Sequence, residues 1–424
     1  MKFLLKEDAM NSPQVGRYRW VILGTLFSLH VFTSVAQFSI PPLLPFIKKE
    51  MGLSYTQVGL FTSSYFLGIA LTATLAGWAA DSLGIRRMMV LGAFLSGMFM
   101  VIAGLMPTFL GIMGLLILAG ICYSIVTPST NKATLYWFHE RLRATAMGIK
   151  QTGINAGGFL ASLAIPPIAL NLGWHYGFSL AGLMVGMGGL ITLIFYRDVG
   201  PSHLHQMAFR EWKQQIKRVI SNRNVLLLAS EGFFRVGVQT AFLTYMILYL
   251  QRILRLPVIT ASLFFGLAHV SGALGRITWG LVSDRAFGGR RKEVYISIAL
   301  ISGIGLFILG ILTPTTPIWL VILIVGLIGF TAVGHQGVGL SFIAEVAGKE
   351  VAGTASGFSQ SFYFLGVVVM APLFGLMVDL SGTYSLAWMT LALFSFLASG
   401  FVGFVREELK TPQEAIAFPR GEER

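Results

Sequence analysis

Apolar residues fill this chain in long runs, separated by short polar turns. About 20 consecutive apolar residues make a helix long enough to cross a bilayer. By that measure the pattern predicts twelve helical spans, near 20–46, 55–80, 87–106, 110–138, 143–168, 174–197, 224–250, 259–284, 293–312, 317–344, 351–379 and 384–405. Several spans carry internal prolines (Pro41, Pro42, Pro128, Pro166, Pro167, Pro372). Membrane helices tolerate these when neighbouring groups satisfy the freed backbone. Gly153, Gly157 and Gly158 suit close approach of one helix to another. The one long connection, 198–223, is basic and amphipathic, with Arg210, Lys213, Lys217, Arg218 and Arg223. It is expected to lie on the membrane surface.

Composition supports lipid as the main solvent. Of the 424 residues, 55% are hydrophobic and 12% charged, with a mean hydropathy of +0.74. A soluble domain carries about a quarter charged residues. The net charge of +13 would suit nucleic acid if it formed one patch, but it sits in short loops between apolar runs. Of 31 Lys and Arg, Lys48, Lys49, Arg252 and Arg255 fall in loops on one side. Lys132, Lys150, Arg235 and Arg276 fall inside spans, and all others fall on the side of the two termini. The positive-inside rule then predicts cytoplasmic termini. The single cysteine, Cys122, excludes an internal disulfide. The first twenty residues lack a signal-peptide apolar region, so no cleavage is expected.

The chain also repeats itself. GWAADSLGIRR at 77–87 returns in the second half: Gly77 and Asp81 recur as Gly280 and Asp284, 203 residues later. Arg86 and Arg87 recur as Arg290 and Arg291, 204 residues later. TAMGIKQ at 145–151 is matched by TASGFSQ at 354–360, an offset of 209. A duplication explains these offsets. It divides the chain into a six-helix bundle at 1–197, a linker at 198–223, and a six-helix bundle with a short tail at 224–424.

With these motifs the sequence resembles the major facilitator superfamily over almost its whole length. The G-x-x-x-D-x-x-G-x-R-R turn at 77–87 is similar to that superfamily's loop between its second and third helices. Ser82 departs from the basic residue usual there, whereas the second copy keeps Arg285. WFHERLRATAMGIKQTG (137–153) and AEVAGKEVAGTASGF (344–358) resemble the anion:cation symporter and organophosphate antiporter branches, and Arg235-Val-Gly237 is similar to an Arg-x-Gly of the latter. Gly275-Arg276, followed by Gly280 and Asp284, resembles the anion-binding eighth helix of oxalate/formate and monocarboxylate carriers. The resemblance implies an all-α integral membrane protein of two pseudo-symmetric six-helix bundles around a central cavity that opens to each side in turn.

Ionisable groups within a bilayer are costly and usually functional. Against the four cations inside spans, one acid, Glu231, is deep. The buried excess is positive, and an anionic substrate would relieve it. Arg276 lies eight residues before Asp284, roughly 12 Å along the helix, near mid-membrane. Its planar guanidinium can hold a carboxylate or phosphate with two parallel bonds. Arg235 is either a second anion contact or the partner of Glu231 at i, i+4. Lys150, beside Gln151, can face the cavity, and Lys132 can do so or reach the membrane surface. Gln37, Tyr123, Asn131 and Gln360 are candidate neutral ligands. His30, His269, His335 and Glu231 are candidates for proton coupling.

Asp81 and Asp284 sit at helix ends, where each can pair with nearby arginines and accept from terminal N–H groups. With Gly77, Gly84, Arg86, Arg87, Arg143, Gly280, Arg285, Arg290, Arg291 and Glu345 they form the expected cytoplasmic gate. No HExxH motif, P-loop, nucleophile elbow or Cys/His metal cluster occurs, which argues against an enzyme, a metal or a cofactor. The expected function is secondary transport of a small organic anion by proton symport or by exchange for a counter-anion. It would act in the cytoplasmic (inner) membrane, as a monomer. The alternative is a drug or cation exporter of the same superfamily. That reading requires a deep acid in the first six spans and a Gly-Pro motif in the fifth, and the sequence has neither.

Overall fold

The computed structural model describes residues 13–82, 84–198, 209–288, 290–348 and 350–406, the side chains of 13–16, 77–82, 140, 141, 144 and 209 excepted. Secondary structure among the described residues is helical. Twelve helices or helix pairs are long and apolar enough to cross a membrane, each within a few residues of the pattern read from the sequence. In chain order they are α1 Pro13–Met51, α2 Tyr55–Ser82, α3 Ile85–Leu105, the pair α4 Phe109–Ser124 and α5 Val126–Trp137, α6 Glu140–Leu172 and α7 Trp174–Phe195. After the surface helix α8 Phe209–Ser221 come α9 Arg223–Ile253, α10 Val258–Arg285 and α11 Arg291–Gly310. The set ends with the pair α12 Ile318–Ile328 and α13 Gln336–Ala347, then α14 Ala352–Ser381 and α15 Ser385–Gly403.

The burial pattern is that of a protein solvated by lipid. Leu71, Leu105, Leu110, Leu183, Trp319 and Leu323 are exposed, while Ser, Thr, His and Lys side chains such as Thr33, Ser34, His30 and Lys150 are buried. The linker forms a helix as its pattern requires. Trp212, Gln215, Ile216 and Val219 face inward, and Arg210, Lys213 and Lys217 face out. Thr354 donates to Gln215 at 2.5 Å and Arg218 reaches Glu350 at 3.4 Å, which fixes α8 to the second half. Asn222 then caps α9, its Oδ1 accepting from the N–H groups of Asn224 and Val225 at 3.0 and 3.3 Å.

The fourth and tenth spans are both broken, at corresponding places in the two halves. The fourth pauses at Ile125, three residues before Pro128, between α4 and α5. The tenth passes through a π-helical turn, Gly329–Val333, before α13. Carbonyls loosened by that turn find donors elsewhere: Phe330 O accepts from the Trp279 indole at 3.0 Å. Ala332 O lies 2.8 Å from His335 Nδ1. Breaks of this kind usually mark functional positions.

Two antiparallel helix pairs join the halves. Along α2 and α14, Thr56 meets Asp379 and Ser63 Oγ lies 3.3 and 3.2 Å from the carbonyls of Val367 and Val368. Further along, Phe66 stacks on Phe364 at 5.5 Å and Thr74 bonds Ser361 at 2.6 Å. The backbones approach closely because Gly59 faces Ala371 and Gly375 faces the Tyr55 carbonyl; a Cβ at either glycine would strike that main chain. Along α6 and α10, Gln151 meets Arg276, Gly158 meets His269, and Ser162 meets Gly266.

Candidate functional site

The α6–α10 pair and the break in the tenth span meet at Arg276, with Tyr123 from the break in the fourth span within electrostatic reach. Its Nη1 donates to the Gln151 carbonyl at 3.0 Å, across the division between halves. Its Nη2 donates to Gln336 Oε1 at 2.5 Å, just beyond the π-turn. Nε is buried and makes no hydrogen bond within the protein. Arg276 is only half-buried, and none of the ion pairs among the described residues includes it. It lies within electrostatic reach of Tyr123, His30, His269 and His335. The guanidinium is therefore a charge held by neutral groups, with part of its donor fork still to be used.

Lys150 points elsewhere. It is fully buried and donates to Asn131 Oδ1 and, at 3.4 Å, to Thr130 Oγ1. His30 Nε2 contacts the same Thr130 hydroxyl at 2.9 Å, while its Nδ1 has no partner. Lys150, Asn131, Thr130 and His30 thus form one polar cluster inside the first half, just past the break in the fourth span. Arg235 is bonded to Glu231, donates to the Tyr295 carbonyl at 3.2 Å and lies 4.2 Å from the Tyr295 ring. Both members of the ion pair are buried. Of the two readings open for Arg235, the structure displays the ion pair.

The remaining candidates are spread around these groups. Tyr123 and Gln37 are buried, whereas Asn131, Lys132, Gln151 and Gln360 are half-buried. His335 is buried at the π-turn, 6.1 Å from the Tyr295 ring. His269 is buried at the junction of the halves, against Phe38 at 4.3 Å and Phe265 at 4.7 Å, with neither ring nitrogen partnered.

At the face that holds both ends of the described chain, Asp284 pairs with Arg291 at 2.6 Å and Arg291 with Glu345 at 3.6 Å. Arg290 pairs with Glu293 at 3.2 Å. Arg86 donates to the Leu193 carbonyl at 2.5 Å, and Arg143 donates to the carbonyls of Phe138 and Leu135 at 3.0 and 3.2 Å. Gly84 turns the chain at φ 89°, Gly280 has open space around it, and Arg87 and Arg285 are exposed. Each of these contacts stays within one half. At Gly77 and Asp81 only the helical backbone of α2 is described.

The opposite face carries a junction that the local sequence did not reveal. Helix α2 begins with Ser54-x-x-Gln57, whose two side chains cap each other's backbone N–H at 3.2 and 2.9 Å. The next two free amides, of Tyr55 and Thr56, are capped by Asp379 of α14 at 2.9 and 2.8 Å, and Asp379 also accepts from the Thr56 hydroxyl at 2.7 Å. Arg252 donates to the Tyr55 hydroxyl at 2.9 Å, and the Tyr245 hydroxyl donates to the Tyr55 carbonyl at 2.7 Å. One half thus completes a helix end of the other.

Asp379→Ala should remove about 1–2 kcal/mol from closure of this face, since charge at a helix N-terminus is partly screened when exposed. That shifts the open-to-closed ratio by roughly 5- to 30-fold. The check is labelling of a cysteine placed by Thr244→Cys, at a residue now bonded across the halves to Thr62 at 3.2 Å. A maleimide that cannot cross the membrane should react faster in the Asp379→Ala background. An unchanged rate would remove Asp379 from the closure.

The family model for the Major Facilitator Superfamily matches residues 26–369 and 273–421, which together take in most of the sequence. The chain belongs to that superfamily. Among curated relatives it is similar to a probable sulfoacetate transporter of Cupriavidus necator, at 24% identity over 88% of this chain and 90% of the relative. It is similar also to a hexuronate transporter of Bacillus subtilis, at 24% identity over 87% and 90%. Among solved structures it resembles a bacterial homologue of the human lysosomal transporter Spinster in an inward-facing, occupied conformation. That match has a TM-score of 0.73 at 17% identity and covers 92% of this chain and 97% of that one. Membership makes this multi-pass membrane protein of the Major Facilitator Superfamily a secondary transporter rather than an enzyme.

Proposed function

We propose that this superfamily member carries a small organic anion, with Arg276 as its principal contact. The observation that supports this most is the state of Arg276. It is half-buried at the junction of the two halves, bonded to neutral groups and joined to no carboxylate among the described residues. Arg235, by contrast, has its own acid. Sulfoacetate and hexuronate, named for two relatives, are both anions, which agrees with this reading. The moving bodies are residues 1–197 and 224–424, joined by 198–223, with both termini in the cytoplasm of the cell whose inner membrane holds the carrier. In the opposite state the charged residues around Asp81 and Asp284 would meet across the halves to close the cytoplasmic face, as the Asp379 cap closes the other. Proton symport would use His30, which shares Thr130 with Lys150, or His269, His335 or Glu231; exchange for a counter-anion needs none of them.

Purified protein in liposomes tests the reading. Labelled glucuronate or sulfoacetate on one side should exchange for the unlabelled anion on the other, and Arg276→Gln should abolish the exchange. A protein that moves neither anion, or moves one equally well without Arg276, would overturn it. An inward proton gradient that drives accumulation would distinguish symport from exchange.

A further inference from the structure

From Arg276 to Ser262 the junction of α6 and α10 carries a row of buried polar groups without partners. Asn155 is 2% exposed, and neither its Oδ1 nor its Nδ2 makes a hydrogen bond within the protein. The same holds for both ring nitrogens of His269, for Ser262 Oγ and for Arg276 Nε. A buried amide left unpaired is costly, so such groups normally meet a ligand or water.

The helical repeat shows that these groups share one seam. On α6, Gln151, Asn155, Gly158 and Ser162 follow the i, i+4, i+7, i+11 spacing of a single face. Three of the four meet α10, at Arg276, His269 and Gly266. Gly153 and Gly157 face the other way, against Phe27, His30, Val31 and Ser34 of α1. On α10, Ser262, His269 and Arg276 lie seven residues apart, again one face. The antiparallel register that pairs 151 with 276 and 158 with 269 brings Asn155 level with Gly272 and Ala273. Gly272 is turned to Val333 and Gly329 of the tenth span, and Ala273, four residues from His269 and three from Arg276, is the small residue on the Asn155 side. Asn155 is about 6 Å along α6 from Gln151, within one short molecule's length of Arg276.

We infer that Asn155 is a specificity residue of the anion site, recognising a hydroxyl group on a substrate whose anionic end is held by Arg276. This rests on the proposed anion-carrier function. The chemistry of the row selects the group. An amide both donates and accepts, as does a neutral imidazole, and a hydroxyl answers both. A second carboxylate could only accept, and would leave Asn155 Oδ1 unpaired. Nor does a second cation serve this seam, because Lys150 is turned to Thr130 and Asn131 and Arg235 to Glu231. One cation beside neutral, two-way hydrogen-bonding groups suits a hydroxylated monoanion. Substrates reaching one further turn along α10 would also meet His269.

The test is binding to purified full-length protein, using matched pairs of anions: glycolate with acetate, glycerate with propionate, gluconate with hexanoate. The wild type should bind the hydroxylated member of at least one pair roughly tenfold more tightly. Asn155→Ala should bring that ratio to within about twofold while leaving the affinity for the deoxy partner unchanged. Arg276→Gln should weaken both members together. Anions that bind through Arg276 without preferring the hydroxyl, or with a preference that survives Asn155→Ala, overturn this inference and leave the carrier reading intact. If none of the six binds, this inference is overturned; if Arg276→Gln leaves binding unchanged, the carrier reading falls and takes the inference with it.

Discussion

Glu231→Ala is expected to lower stability by about 3–5 kcal/mol, the range found when one partner of a buried ion pair is removed. Arg235 would be left as an unpaired guanidinium within the second half, with the Tyr295 carbonyl and ring as its neighbours. Desolvating such a charge costs more than the pair's own attraction returns, so the penalty comes from what remains rather than from what is lost. The double variant Glu231→Ala with Arg235→Leu removes both charges and should recover most of the loss. Thermal unfolding of the purified proteins measures this, read as midpoints at one detergent concentration. A single variant within about 1 kcal/mol of wild type, or a double variant worse than the single, would show that the pair is not the buried unit described.

Arg276→Gln should weaken anion binding by roughly 10- to 100-fold. Charge-assisted bonds of this class contribute about 1.5–3 kcal/mol, and 1.4 kcal/mol is a factor of ten. Glutamine retains a donor for the Gln151 carbonyl but has neither the charge nor the second arm. Arg276→Lys should recover only part of the affinity, because a point charge cannot reproduce the planar fork. Titration of monodisperse variants with the best-binding anion gives the answer. Affinity within about twofold of wild type would make Arg276 a fastener between α6 and α10 instead.

The twelve spans were legible because crossing lipid imposes a length and a composition that few other demands mimic. The prominence of Arg276 was legible too, as a cation inside an apolar span with no acid within two helical turns of it in sequence. Lys150 shows where local reading stops. It adjoins Gln151 in the chain, yet 100° of helical rotation sends it into the first half while Gln151 meets Arg276. Asn155 carried no charge to draw notice. Its signal was the spacing 151, 155, 158, 162, which has meaning only when the helix facing that stripe is known. The break in the fourth span had a marker in Pro128, whereas the tenth is interrupted without any proline, amid Gly326, Gly329 and Gly334. Asp379 was visible only as an acid near a span end, because its partners lie 323 and 324 residues earlier.

That separation sets an order of events during synthesis. Of the four free amides that open α2, those of Ser54 and Gln57 are satisfied as soon as the local turn forms. Those of Tyr55 and Thr56 wait for residue 379 to be made and inserted. At about 5–20 residues per second, the delay is roughly 15 to 65 s. Throughout it the second helix is lodged in the membrane with its first turn unfinished. A first half produced alone, residues 1–197, would keep those two amides exchanging with water however well its six helices pack.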